Sequence, residues 1–256
     1  LTEMDLILPG WTDAPANVGA LSTTRRGGIS LAPYDDGSGG GGMNLGSHVG
    51  DDPESVCRNR ELLRKVLPAE PVWLTQVHGS IVIDAADAKS APEADASIAM
   101  QVGVVCAIQT ADCLPVLFCD TAGKVVGAAH AGWRGLAGGV LQQTVARMRS
   151  AGAVDIMAWL GPAIGPQSFE VGQEVFDAFA INNPAMAEAF TPRPSQPGKY
   201  LADIYALARM VLRYAGVNRI SGGGACTVLE NDRFYSFRRD RRTGRMASLI
   251  WLNQRG

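Results

Sequence analysis

The chain has only three histidines, and each is followed within two residues by glycine. They stand in His48-Val49-Gly50, Gln76-Val77-His78-Gly79 and His130-Ala131-Gly132-Trp133-Arg134-Gly135. His78 and His130 each end a β-like run where the backbone turns, a usual place for functional side chains on a rigid scaffold. Cys113 closes Thr110-Ala111-Asp112-Cys113 between two further apolar runs. Three strand ends thus offer two imidazoles and a thiol to a common point. That donor set is borderline soft and suits zinc, and three protein ligands leave a fourth position for water or substrate. A zinc ion would hold Cys113 as thiolate and lower the pKa of a bound water towards neutrality. The separations, 35 residues from His78 to Cys113 and 17 from Cys113 to His130, are not a zinc-finger spacing. Taken singly, each residue reads as readily as a buried thiol or a satisfied core histidine.

The same residues leave other chemistries open. Two histidines, a cysteine and a weak axial methionine make a blue-copper centre, and copper is intrinsically the tighter binder, so Cu2+ is a possible substitute. A multicopper oxidase needs many more imidazoles than three. A cysteine hydrolase or amidase would use Cys113 as nucleophile with His130 or His78 as base. A non-catalytic, metal-stabilised module would want a fourth ligand, and no candidate presents itself. For anions, Arg25 precedes Gly27-Gly28, where backbone N–H groups can approach an oxyanion, and Arg134 shares a motif with His130. Either arginine serves equally well as a structural ion-pair partner.

The elements that must position these groups are legible in part. Asp52 and Pro53 open a helix in which Val56, Leu63 and Leu67 recur at helical spacing. Short runs at 72–74, 81–83, 104–108, 116–118 and 125–128 read as strands. Helices are expected over 136–148, 173–179 and 203–215, and strands over 157–160, 225–229, 234–237 and 247–251. Strands and helices mix without strict alternation, which predicts an α+β fold, an α/β sandwich of layered mixed sheets flanked by helices. Residues 35–42, Asp-Asp-Gly-Ser-Gly-Gly-Gly-Gly, predict a flexible surface loop.

Composition narrows the setting. Of 256 residues, 46% are hydrophobic and 19% charged, enough to bury a real core. A net charge of -2 advertises neither nucleic acid nor an anionic membrane. The basic run Arg238-Arg239-Asp240-Arg241-Arg242 reads as a solvated turn. There is no long apolar stretch and no signal peptide, and Met4 reads as the natural start with a cloning remnant at 1–3. Five cysteines without a compact framework suit a reducing cytoplasm, and Cys106 and Cys119, inside apolar runs, read as core thiols. A cytoplasmic monomer is the expectation.

At these motifs the sequence resembles the bacterial laccase-domain family, long described as polyphenol oxidases and now associated with purine nucleoside phosphorylase activity. The matching segments include Thr24-Arg25-x-Gly27-Gly28-x-Ser30, Asn44-Leu45 through His48-x-Gly50-Asp51, Gln76-Val77-His78-Gly79 and Ala111-Asp112-Cys113-Leu114-Pro115. They continue with the His130 motif, Gly161-Pro162-Ala163-Ile164-Gly165, Cys226-Thr227, Tyr235-Ser236-x-Arg238-Arg239 and Thr243-Gly244-Arg245. Running in order over nearly the whole chain, they imply one domain over residues 1–256. The resemblance implies zinc on His78, Cys113 and His130. It also implies phosphorolysis of adenosine, inosine, guanosine and methylthioadenosine, with deamination of adenosine as a further activity. On that footing Arg25 positions phosphate with help from Asn44 and His48, Arg134 contacts substrate, and His48 is the spare general acid or base. The glycine run at 37–42 looks longer than the family's usual link. The His-x-Glu and Pro-Cys-x-x-Cys signature of zinc nucleobase deaminases is absent, so deamination would need another site plan.

Overall fold

Alternation with period two lets a strand serve two cores at once, and the strands of this chain do so. A computed structural model describes residues 4–255; the proposed cloning remnant at 1–3 lies outside them. The chain opens with β1 (Leu6–Ile7), β2 (Val18–Thr23) and β3 (Arg26–Ser30), then α1 (Pro53–Arg64). Next come β4 (Pro71–Val72), β5 (Val82–Asp84), β6 (Ala96–Ala99), β7 (Val105–Thr110), β8 (Leu114–Asp120) and β9 (Val126–Ala131). Helices α2 (Trp133–Ala137) and α3 (Val140–Ser150) lead to β10 (Ile156–Leu160), β11 (Glu170–Gly172) and α4 (Gln173–Ala180). The remainder is β12 (Phe190–Pro192), β13 (Lys199–Ala202), α5 (Ile204–Tyr214), β14 (Arg219–Gly222), α6 (Phe237–Asp240) and β15 (Met246–Leu252).

These form a five-stranded sheet ordered β1-β2-β15-β7-β4, a six-stranded sheet ordered β14-β10-β8-β9-β6-β5, and a small sheet β11-β13-β12. Both large sheets are mixed: β4 runs parallel to β7, β5 to β6 and β14 to β10, and the other pairs are antiparallel. The two sheets face each other through Cys106, Ile108 and Ile250 on one side and Leu117, Val126 and Ala128 on the other. Behind the six-stranded sheet, Val116, Phe118 and Ala129 pack on residues of α3 and α5 such as Leu141, Val145, Leu207 and Val211. Behind the five-stranded sheet, Val105, Ala107 and Leu249 pack on Leu63 of α1 and on Met43 and Leu45. The result is a four-layer α-β-β-α sandwich, the mixed α+β domain expected. No helix among the described residues is long and apolar enough to cross a membrane.

Several expectations need correction. The helix expected over 136–148 is broken at Gly138-Gly139, because Gly139 adopts a φ of 91° and starts α3 as a separate element. Residues 225–229 and 234–237 are not strands. Cys226 donates its N–H to Glu230 and its carbonyl accepts from the Glu230 N–H, which curls that segment into a turn, and α6 begins at Phe237. Strands β2, β3 and β6 carry no clear β-branched pattern, because Gly19, Ala20, Gly27, Gly28 and Ala96 interrupt it. The glycine-rich 35–42 segment, expected as a flexible connector, is wound around Asp36. One Asp36 carboxylate oxygen accepts from Ser38 N, Ser38 Oγ and Gly40 N at 2.8–2.9 Å. Gly42 bridges to Arg26 and Ser30, and a Cβ there would collide with the Tyr34 carbonyl and the Tyr235 hydroxyl. Gly42→Ala is therefore expected to cost about 2–4 kcal/mol in chemical denaturation. Gly224→Ala, where nothing lies within 4 Å of the added carbon, should change stability by less than about 0.5 kcal/mol.

Candidate metal centre and its cleft

His130 is the next-to-last residue of β9, Cys113 immediately precedes β8, and His78 sits on the loop between β4 and β5. Since β8 pairs with β9 through Leu114↔Ala131 and Pro115↔His130, the register itself brings Cys113 beside His130. His78 arrives from outside the sheet, and the residue that brings it is Asp95, just ahead of β6. The Asp95 carboxylate is fully buried and accepts from the N–H groups of Val77 (3.2 Å), His78 (2.9 Å) and Gly79 (2.7 Å). Its fourth bond, at 2.8 Å, is to Nδ1 of His130, and its own carbonyl accepts the His130 N–H. Three successive N–H groups converge on one anion because His78 adopts a φ of 61°, folding the loop into an anion-binding nest. Burial by itself would raise the Asp95 carboxyl; the hydrogen bonds from His130 and the loop outweigh it and hold the group below the usual carboxylate range.

With Nδ1 committed to Asp95, His130 has Nε2 to offer to the centre. Cys113 Sγ lies 3.8 Å from Nε2 of His78, and one ligand atom from each of the three residues falls within 4.8 Å of the others. Donors about 2.0–2.3 Å from a tetrahedral ion lie roughly 3.3–3.8 Å apart, so the set closes on an ion with small adjustments. The donor chemistry fits as well. Burial pushes the Cys113 thiol up, but the two imidazoles, His130 foremost, outweigh it and favour the thiolate. Burial pushes His130 down, and the Cys113 and Asp95 charges reverse this. A thiolate facing two imidazoles is the form a cation would replace a proton to occupy. Cys106 and Cys119, by contrast, are pushed up to about 12 by burial and are inert core thiols. Gly132 keeps the centre open, because a Cβ there would come within 2.9 Å of Cys113 Sγ and 3.0 Å of a His78 ring carbon.

The centre forms the floor of a cleft of about 570 Å³ that also reaches His48, Arg60, Trp73, Gln109, Phe237 and Arg245. His48, the third histidine, is largely exposed; the partial desolvation of its ring, and then the charges of Arg245 and Arg60, lower its pKa. Arg60 commits Nε and Nη2 to the Leu45 carbonyl and lies 4.3 Å over the Trp73 ring. Arg245 commits Nη1 to the carbonyls of Thr243 and Gly244. Each guanidinium keeps N–H groups without a protein partner among the described residues.

Three residues singled out from sequence stand elsewhere. Arg25 does not line the cleft; its guanidinium is spent on the carbonyls of Asp35 and Asn231 and on the Asp35 carboxylate, at 2.8–3.3 Å. It braces the 35–42 segment where it was expected to meet phosphate. Asn44 is fully buried, with its oxygen accepting from Gly46 and Arg245 N–H groups and its amide donating to Asp51 and Gly46. Its effect on the cleft is indirect, since it ties the His48 loop to Arg245, the residue just ahead of β15. Arg134 is exposed, lies 4.5 Å over Trp133, and is not among the residues lining the cleft. Sequence reasoning missed Asp95, Arg60, Gln109 and a role for Arg245.

Comparison with known proteins then decides the lineage. A family model described as multi-copper polyphenol oxidoreductase laccase matches residues 19–253. The chain belongs to this laccase-domain family. Relatives include proteins named purine nucleoside phosphorylase from Pseudomonas aeruginosa, 52% identical over 96% of this chain and 98% of theirs, and from Escherichia coli, 51% identical over the same shares. A solved Neisseria meningitidis protein superposes with a TM-score of 0.90 at 52% identity, covering 99% of this chain and 100% of that one. The Bacillus licheniformis protein YfiH gives 0.83 at 31% identity, covering 92% and 93%. In this laccase-domain chain all three histidines line one cleft, an inventory for one mononuclear centre and not for several coppers.

Replacing Asp95 by Asn leaves the shape but turns an amide N–H₂ towards converging N–H donors. Zinc affinity of Asp95→Asn, measured by chelator competition, should fall about 10- to 100-fold. Gly132→Ala should lower the affinity for an added zinc ion similarly while melting as a folded protein.

Proposed function

We propose that this chain is a zinc-dependent purine nucleoside phosphorylase. The observation that carries the reading is the pairing, in one cleft, of a His78-Cys113-His130 donor set with two under-used guanidinium groups on Arg60 and Arg245. The names of the relatives supply the substrate class. Phosphorolysis brings a phosphate oxygen to the anomeric carbon as the purine departs through an oxocarbenium-like transition state, so phosphate must be held and the leaving base stabilised. Arg60 and Arg245 hold the phosphate dianion through their remaining N–H groups, and His48, in the same cleft, exchanges a proton with it or with the departing base. A zinc ion on His78, Cys113 and His130 supplies Lewis-acid polarisation of a substrate oxygen when bound. Adenosine, inosine, guanosine and methylthioadenosine are the proposed substrates, with adenosine deamination as a secondary activity of the same cleft. Copper, as the tighter binder of this donor set, would give a loaded form with polyphenol oxidoreductase activity at most.

A second reading is favoured by one observation. Cys113, His130 and Asp95 stand in the order nucleophile, base and orienting carboxylate. Without an ion this is the plan of a thiol hydrolase or amidase.

Two measurements separate these. Cys113→Ala should bind less than about a tenth of the zinc held by the wild type and form no ribose 1-phosphate from adenosine and phosphate. Chelation should abolish phosphorolysis, and zinc should restore it. A metal-free protein that hydrolyses amides, with no phosphorolysis in either state, would establish the thiol reading instead. Arg245→Met should raise KM for phosphate about 10- to 100-fold with little change in KM for nucleoside. Equal loss on both substrates would remove it from the phosphate site.

A further inference from the structure

Gln109 lies on β7, on the same face as Val105 and Ala107. Those two are covered by the apolar layer of α1, Met43 and Leu45; at Gln109 that layer ends and the cleft begins. Its backbone is fully used. The Gln109 N–H donates to Gln76 Oε1 and its carbonyl accepts from Gln76 Nε2, both at 2.8 Å. This pair of bonds consumes the carboxamide of Gln76 and locks its orientation. The carboxamide of Gln109 has the opposite situation: the residue is 7% exposed and lines the cleft, and its side chain has no hydrogen-bond partner among the described residues. The amide atoms are reachable from the cleft and no described protein group competes for them, so both the donor and the acceptor of this carboxamide are available to a ligand.

We propose that Gln109 is the residue that reads the purine base, at the edge formed by N1 and the substituent on C6. The proposal rests on the phosphorolysis reading above and names the specificity determinant of that site. Adenosine presents there a 6-amino donor and an N1 acceptor; inosine and guanosine present a 6-oxo acceptor and an N1–H donor. A carboxamide carries one acceptor and one donor side, so turning it over about its last torsion matches either order. Gln109 is free to turn because no protein group fixes it. One side chain therefore accepts 6-amino and 6-oxo purines alike and disfavours a base with nothing at C6. Because Gln76 ties β7 to the loop bearing His78 two residues on, the base-reading amide and the ion-holding imidazole are fixed relative to each other. Phe237, 47% exposed in the same cleft, offers a face on which the base can stack.

The test compares kcat/KM for phosphorolysis of adenosine, inosine and purine riboside, which lacks any C6 substituent, in the wild type and Gln109→Met. Methionine keeps the length and volume and removes both donor and acceptor. The wild type should prefer adenosine and inosine to purine riboside by about 10-fold or more. In Gln109→Met both preferences should shrink at least about 5-fold, with zinc content unchanged. A wild type that uses purine riboside as well as the other two overturns the proposal, and this comparison needs no variant to fold. A Gln109→Met that slows all three nucleosides equally overturns it as well. A wild type that forms no ribose 1-phosphate from any nucleoside overturns the phosphorolysis reading itself, an outcome distinct from an active enzyme that ignores C6.

Discussion

The site depends on one buried carboxylate. Asp95 is out of water, and an ion in that position persists only if its oxygens are saturated. Four N–H groups saturate it, three from the loop carrying His78 and one from the ring of His130. The carboxylate's need for partners is therefore what folds an irregular loop against a sheet edge. The same bonds fix the ring of His130, so that its free nitrogen meets Cys113. Loss of this anion would release His78 and His130, two of the three candidate metal ligands, together.

A second aspartate does comparable work behind Cys113. Asp112 holds a φ of 92°, and its carboxylate accepts from the Thr227 hydroxyl and the Arg238 N–H, both at 2.6 Å, while its carbonyl accepts from Ile164 N–H. The Cys113 turn is thus anchored to three segments far apart in sequence, and Arg238 stands next to Phe237 at the cleft mouth. Away from the centre, Asn59 of α1 ties β3 to the 42–44 segment through Ile29, Ser30, Gly42 and Asn44. Polar networks of this kind fix loop positions that apolar packing alone would leave loose.

The sandwich and the convergence of His78, Cys113 and His130 were legible in the sequence for different reasons. Helix α1 carried its own start signal, and Asp52 indeed accepts from Ser55 N–H. Strands β7 to β10 carried apolar runs bounded by turn residues. His78, Cys113 and His130 stood out because histidine is so scarce. The arginines were harder to assign. Arg25 and Arg245 look alike in sequence, and only tertiary pairing shows that Asp35 and Asn231 consume one while the other keeps free N–H groups. Asp95, Arg60 and Gln109 lack any local pattern, since their partners lie 15 to 35 residues away or are absent. Sequence periodicity reports which face a residue occupies, and it is silent on whether a polar group there is already satisfied.

The concentration of every histidine at one cleft has a practical consequence. Any imidazole resonance in a spectrum of this protein arises from the site or its rim, with no background from elsewhere. Two of the signals come from the candidate metal centre and the third from beside Arg60 and Arg245. Adding a metal ion, phosphate or a nucleoside to the unlabelled native chain would therefore be read at this cleft alone.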